Sequence, residues 1–241
     1  MAHFLFIHGA CHGAWCWQQV TSLLCQLGHE CYSIDLPGHG NDQTPRARIT
    51  RQDYLNAVSH AIEALEWENI TLVGHSAAGI LLADLSAKHA EIHRLIYLAA
   101  YIPNQNESML DQLPPDRQIQ YQTMASTSST RCIALDFDTM YKYYFNNLSL
   151  TQAQFYYQKI TPEPIGPYEE KVKMSPSQLS VKQDYIICKY DQRLLEEQAK
   201  RFASRTKGQI HTLDTDHCVM LSNPQLLSQT LHNIVTNATD T

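Results

Sequence analysis

The chain has 241 residues, 44% of them hydrophobic and 17% charged, enough for one sizeable α/β domain and too apolar for a disordered chain. A net charge of −6 and a pI near 6.0 argue against broad binding to nucleic acid or to an anionic membrane surface. No apolar run approaches the roughly 20 residues that a membrane-spanning helix needs.

Taken in order, the first element is a strand, His3–Ile7, with no basic segment and no small-residue cleavage site to suggest an export signal. Trp15–Leu27 reads as a helix stopped by Gly28, and Glu30–Ile34 as a second strand leading into the loop Asp35–Asn41. Thr50 caps a helix running to about Glu66, with Asp53 at the capping-box position. Strand Asn69–Val73, helix Gly79–Lys88 and strand Arg94–Ala99 follow. Repeated strand–helix units of this kind imply a mostly parallel sheet with helices on both faces.

The rhythm breaks over about 103–182, which holds several prolines, a polar run (Ser126–Thr130) and a tyrosine-rich stretch (Tyr141–Phe145). This segment is expected to be an insertion of helices and loops, a cap over the C-terminal edge of the sheet. The core of a single domain would then be 1–102 and 183–241. Strand Asp184–Lys189, helix Leu194–Ser204 and strand Gln209–Leu213 bring the sheet to six strands, and Asn223-Pro224 opens a terminal helix. Cys11, Cys16, Cys25, Cys31, Cys132, Cys188 and Cys218 are odd in number and lack CxxC pairing. Buried, reduced thiols and a cytoplasmic protein are expected. Asn-x-Ser/Thr triplets at Asn69, Asn106, Asn147 and Asn237 carry no meaning without an export signal.

The most informative stretch is Gly74-His75-Ser76-Ala77-Ala78-Gly79, between an apparent strand and an apparent helix. A strand–tight turn–helix with serine at its apex exposes the hydroxyl as a nucleophile, and small neighbours let strand and helix pack around it. Alanine at position 78 departs from the Gly-x-Ser-x-Gly pattern but is small enough to fit. A serine nucleophile needs a base, and the base an orienting carboxylate. Asp191 and His217 each follow a late strand at its carboxyl end, in the chain order serine, acid, histidine. Asp214 and Asp216 are rivals for the acid by proximity, whereas Asp184 sits at the beginning of its strand. The Ala77 N–H, and an N–H of the loop His8–Trp15 with Ala10 as the candidate, would form an oxyanion hole. Gly9 and His75 are substrate-binding candidates by adjacency. Cys218, beside His217, is a weaker candidate thiol. His8, His12 and His75 complete no metal-ligand set, and no dinucleotide or phosphate-loop motif is present.

With these motifs in place the chain resembles the α/β-hydrolase superfamily, and within it the plant methylesterase and hydroxynitrile lyase group with its bacterial esterase relatives. The resemblance is carried by His3-Phe-Leu-Phe-Ile-His-Gly-Ala-Cys-His-Gly-Ala-Trp-Cys-Trp17, Gly28-His29, Gly74-His75-Ser76 and Asp216-His217-Cys-Val-Met-Leu221 before Asn223-Pro224. It is thin across 103–182. It implies an α/β-hydrolase fold with catalytic Ser76, Asp191 and His217. Lyases of this type carry threonine after the first strand's histidine and lysine after the catalytic histidine. Here those places hold Gly9 and Cys218, which favours a serine carboxylesterase acting on a small, methyl or aromatic ester. A cyanohydrin lyase and a non-catalytic binder stay as alternatives. No cofactor and no metal are expected, and partners are limited to the small-molecule ester, with no nucleic acid and no membrane. A homodimer through the insertion is compatible with the resemblance. The insertion holds no concentrated arginine cluster, so its sequence gives no ground for carboxylate recognition.

Overall fold

The computed structural model describes residues 1–236, so Asn237 lies outside the described residues. Among them eight strands form: β1 (His3–Ile7), β2 (Glu30–Ile34), β3 (Ile70–His75), β4 (Ile92–Leu98), β5 (Cys132–Ile133), β6 (Glu163–Pro164), β7 (Lys182–Cys188) and β8 (Gln209–Leu213). Six make one sheet in the order β2-β1-β3-β4-β7-β8, with every neighbouring pair parallel, while β5 and β6 form a separate antiparallel pair.

Alternation along the strands sorts the core into two layers. Phe4, Phe6, Val73, Ile96 and Ile186 point to one face, where α1 (Gln18–Gln26) packs with Val20 and Leu24 beside the last helix, Pro224–Thr236. Leu5, Ile7, Leu72, Leu95 and Ile187 point to the other, covered by α2 (Arg51–Leu65), α3 (Gly79–Lys88) and the helix Glu196–Ala203. Each such large side chain taken from water contributes about 1.5–3 kcal/mol, which makes these two layers the main source of stability. Thr50 and Asp53 form the expected capping box of α2, and Glu66 ends that helix in the left-handed conformation.

Several boundaries differ from the expected ones. The first helix opens as a tight 3-10 turn, Ala14–Trp17, before α1 begins. β3 runs on through Gly74 and His75 because both stay paired with β4, opposite Tyr97 and Leu98. Cys25 is exposed and Cys31 only half-buried, so the expectation of buried thiols fails at these two. Val20 and Leu24 face the sheet, and the next residue round the helix, Cys25, points away from it.

Between β4 and β7 the chain forms α4 (Pro115–Thr127), α5 (Phe137–Tyr143), α6 (Leu150–Tyr157) and the short α7 (Gly166–Glu169). It crosses the C-terminal ends of the strands, where the Thr161 N–H donates to the Cys11 carbonyl at 2.9 Å. Then come α8 (Glu196–Ala203), α9 (Val219–Ser222) and α10 (Pro224–Thr236). At the opposite end of the sheet Asp184 is held by Arg94 and by His211 at 2.8 Å, far from the loops described next. No helix among the described residues is long and apolar enough to cross a membrane.

Candidate active site

The turn between β3 and α3 places Ser76 at φ 52°, in the left-handed region that a residue with a Cβ avoids. Two features hold it there. The Ser76 carbonyl accepts the Tyr101 N–H at 3.0 Å, and α3 folds back so closely that a Cβ on Gly79 would lie 2.3 Å from the Tyr101 carbonyl oxygen. Ala78 is buried and fits without disturbing the turn.

The Ser76 Oγ lies 2.9 Å from His217 Nε2, and His217 Nδ1 lies 2.6 Å from Asp191 Oδ2. With a carboxylate on Nδ1, that nitrogen carries the proton and Nε2 is left to accept from the serine hydroxyl. The other Asp191 oxygen accepts the backbone N–H groups of Arg193 (2.7 Å) and Leu194 (2.8 Å), which fixes the carboxylate's rotation. Exposure is 4% at Ser76, 2% at Asp191 and 0% at His217, so these hydrogen bonds form away from bulk water. The rival acids go elsewhere. Asp214 is exposed and pairs with Lys189 at 3.3 Å, while Asp216 accepts from Thr215 and Ser222 at the start of α9.

Neither the Ala10 nor the Ala77 N–H donates to an acceptor among the described residues. Both alanines, with Gly9, line a narrow cavity of about 10 Å³, which also meets Tyr54, Glu163 and Tyr168. His75 does not line it. Its ring turns inward and Nε2 donates to the His217 carbonyl at 3.0 Å. Gly9 is tied to that ring, since a Cβ there would fall 2.7 Å from His75 Nδ1. His8 donates from Nδ1 to the Gly9 carbonyl and accepts the Leu36 N–H at Nε2. His12 donates from Nδ1 to the Ala10 carbonyl at 2.7 Å, leaving Nε2 to face the Cys218 thiol at 3.6 Å. Burial holds the pKa of all three well below the usual histidine range, to about 4 for His12. Burial also pushes the Cys218 thiol well up, and it is fully enclosed, an unfavourable setting for a reactive thiolate.

Two groups that sequence reasoning did not single out lie against this site. Glu163, on the two-residue strand β6, accepts the Cys11 N–H at 2.8 Å and His39 Nε2 at 2.9 Å, with the Tyr54 hydroxyl at 3.3 Å. His39 Nδ1 meets the Pro37 carbonyl at 3.1 Å and the Tyr54 hydroxyl at 3.5 Å, so the ring is held at both nitrogens. Cys11 has φ 65°, and the carboxylate that captures its N–H fixes the peptide immediately after Ala10. Arg193 is the second group: its guanidinium donates to Tyr144 at 2.7 Å, and the Tyr144 ring packs edge-on against His217 at 5.4 Å. A lone glutamate and a lone arginine in loops carry no sequence signal. Only the fold brings them here.

Residues 4–230 match the model of the alpha/beta hydrolase family. The chain is 28% identical to Methylesterase 2 of Arabidopsis thaliana, over 98% of this chain and 96% of that protein. It is 25% identical to a carbendazim hydrolyzing esterase of Nocardioides sp. (strain SG-4G), over 96% and 98%. Among solved structures, an extracellular α/β-hydrolase from a Paenibacillus species, described as sharing structural and functional homology with tobacco salicylic acid binding protein 2, superposes with a TM-score of 0.88. It is 24% identical, with 96% of this chain and 98% of that one covered. With a family match spanning nearly the whole chain and a sheet of the same architecture, this chain belongs to the alpha/beta hydrolase family.

Proposed function

We propose that this chain is a serine carboxylesterase in which Ser76 is the nucleophile, His217 the general base and acid, and Asp191 the orienting carboxylate. The chain is a carboxylic ester hydrolase, the class to which its methylesterase and esterase relatives belong. The observation that carries the finer reading is the continuous hydrogen-bonded chain from Ser76 through His217 to Asp191, begun by a serine at φ 52°.

In this reading His217 Nε2 takes the hydroxyl proton as Ser76 Oγ attacks the ester carbonyl. Asp191 stabilises the imidazolium, and the Ala10 and Ala77 N–H groups receive the charge that develops on the carbonyl oxygen. His217 returns the proton to the departing alcohol. Water, activated by the same imidazole, then cleaves the acyl-enzyme. Each step uses only protein groups and water. Residues 103–182 act as a cap that, with the core 1–102 and 183–241, encloses a small ester, methyl or aromatic. Seven free thiols support a reducing compartment.

A cyanohydrin lyase is disfavoured. No lysine follows His217, and Gly9 has no room for threonine while His75 occupies that space. The test is p-nitrophenol release from the acetate and butyrate esters by the parent, Ser76→Ala and Cys218→Ala proteins. Ser76→Ala should lose about 10⁴-fold or more, and Cys218→Ala should remain active. A parent silent on both esters would overturn the reading and point to cyanohydrin cleavage or ligand binding.

A further inference from the structure

Arg193 stands two residues after Asp191, and its side chain returns over the site that its backbone N–H helps to build. Nε donates to the Tyr144 hydroxyl at 2.7 Å and Nη2 to the Tyr121 hydroxyl at 3.3 Å. The guanidinium carbon lies 5.5 Å from the Tyr101 ring centre and 5.8 Å from that of Tyr144. These three tyrosines are 3–4% exposed, and each is linked to the site. Tyr144 touches His217, the Tyr101 N–H holds the Ser76 carbonyl, and Tyr121 meets Tyr168, which lines the cavity.

Arg193 is half-buried and differs in its charge balance from the two fully buried arginines, which have acids: Arg51 pairs with Asp84 at 2.7 Å and Arg94 with Asp184. Among the described residues no carboxylate pairs with the Arg193 guanidinium. Among the described residues its hydrogen-bonding partners are two phenols, and burial pushes Tyr144 well up, so that phenol is neutral. Of the five N–H donors a guanidinium carries, two are used. A half-buried cation with unused donors beside aromatic rings is well placed to take an anion, and its planar fork matches a carboxylate in two-point contact. The insertion supplies no arginine cluster. This arginine comes from the core loop after β7 and reaches the site from beneath the insertion's tyrosines.

We propose that Arg193, with Tyr121 and Tyr144, forms a subsite for a carboxylate carried by the ester, so that the substrate class is an ester with a free acid group, either a half-ester of a dicarboxylic acid or an acylated hydroxy acid. This inference rests on the esterase reading above and names the substrate that the same site selects.

The experiment compares kcat/KM for phenyl acetate, 4-carboxyphenyl acetate (charge on the alcohol side) and monophenyl succinate (charge on the acyl side). The parent, Arg193→Met and Arg193→Lys proteins are each assayed. For at least one charged ester, the ratio of its kcat/KM to that of phenyl acetate should fall about 10–100-fold in Arg193→Met, chiefly through KM, and recover in part in Arg193→Lys. If Arg193 only straps α4 and α5 to the core, all three esters decline together and both ratios stay constant, which overturns the proposal. Should Arg193→Met fail to fold, inhibition of the parent decides. Benzoate should compete with phenyl acetate, more weakly as salt rises, and benzamide should not; equal inhibition by both overturns the proposal. Loss of Ser76-dependent phenyl acetate hydrolysis in the parent would instead refute the esterase reading, whatever Arg193 does.

Discussion

Replacing Gly9 by alanine would place a Cβ 2.7 Å from His75 Nδ1 and 2.9 Å from Ser76 Cβ. Ordinary contact begins near 3.4 Å, so His75 would have to retreat by about 0.7 Å and Ser76 by about 0.5 Å. Neither is free to do so. His75 is bonded to the His217 carbonyl at 3.0 Å, and Ser76 is held by the Tyr101 N–H. One added methyl therefore pushes on the serine and on the histidine at once, and tilts the strand end that presents the Ala10 N–H. Overpacking of this kind costs about 1–3 kcal/mol of stability. A misplaced oxyanion donor or nucleophile costs about 10²–10³ in rate. The expected result is a folded Gly9→Ala protein, its urea midpoint lowered by that amount, with kcat on p-nitrophenyl acetate down at least a hundredfold. A variant within threefold of the parent in kcat would refute the argument that position 9 has no room for a side chain.

Asp191→Asn should lose about 10⁴ in kcat while folding normally. The Arg193 and Leu194 N–H groups will claim the amide oxygen, so the –NH₂ faces His217 Nδ1 and drives the ring into the tautomer whose Nε2–H meets Ser76. Nitrogen NMR of the imidazole would read that tautomer directly, and an unchanged one would sink the explanation. Glu163→Gln weakens the buried hydrogen bonds to His39 and to the Cys11 N–H and should lower unfolding free energy by about 1–3 kcal/mol and also reduce kcat, because the peptide after Ala10 loses its carboxylate anchor. A stability loss with kcat intact would show that Glu163 only holds the fold. His8, His12 and His75 are neutral in the folded protein, whereas the unfolded chain binds their protons below about pH 6.5. Their stabilising contribution is complete above that pH and is lost as pH falls. For His12 alone, with its pKa lowered to about 4, the loss by pH 4 is about 3 kcal/mol. Urea midpoints measured from pH 7 to 4 should drop steeply, and a flat profile would contradict the buried neutral tautomers.

The sheet was legible because its strands are short β-branched or aromatic runs separated by well-signalled helices. Thr50, Asp53, Gly28 and Pro224 mark ends that local chemistry alone determines. Strand ends set by pairing were less legible: His75 remains in β3 because Leu98 lies opposite it, a fact invisible from the local sequence. Ser76, Asp191 and His217 could be nominated because the topology puts each after a strand, and the fold does bring the three side chains into contact. Glu163 could not, since it meets Cys11 across 152 positions from a strand of two residues. Arg193 is illegible for the same reason: its tyrosine partners are 49 and 72 positions away. The seven cysteines were read as one class, and the outward turn of α1 at Cys25 separates them.

The cavity beside Ala10 and Ala77 has room for little more than one water molecule, and its walls include Pro167 and Tyr168 of α7. Any ester is several times that size. An ester seated beside Ala10 and Ala77 would have to displace the Pro167–Tyr168 wall, and the free energy of that displacement would be subtracted from its intrinsic affinity. KM would then reflect the compliance of α7 as well as the contacts an ester makes beneath it. Two esters of equal fit that demand different clearance will differ in KM without differing in chemistry.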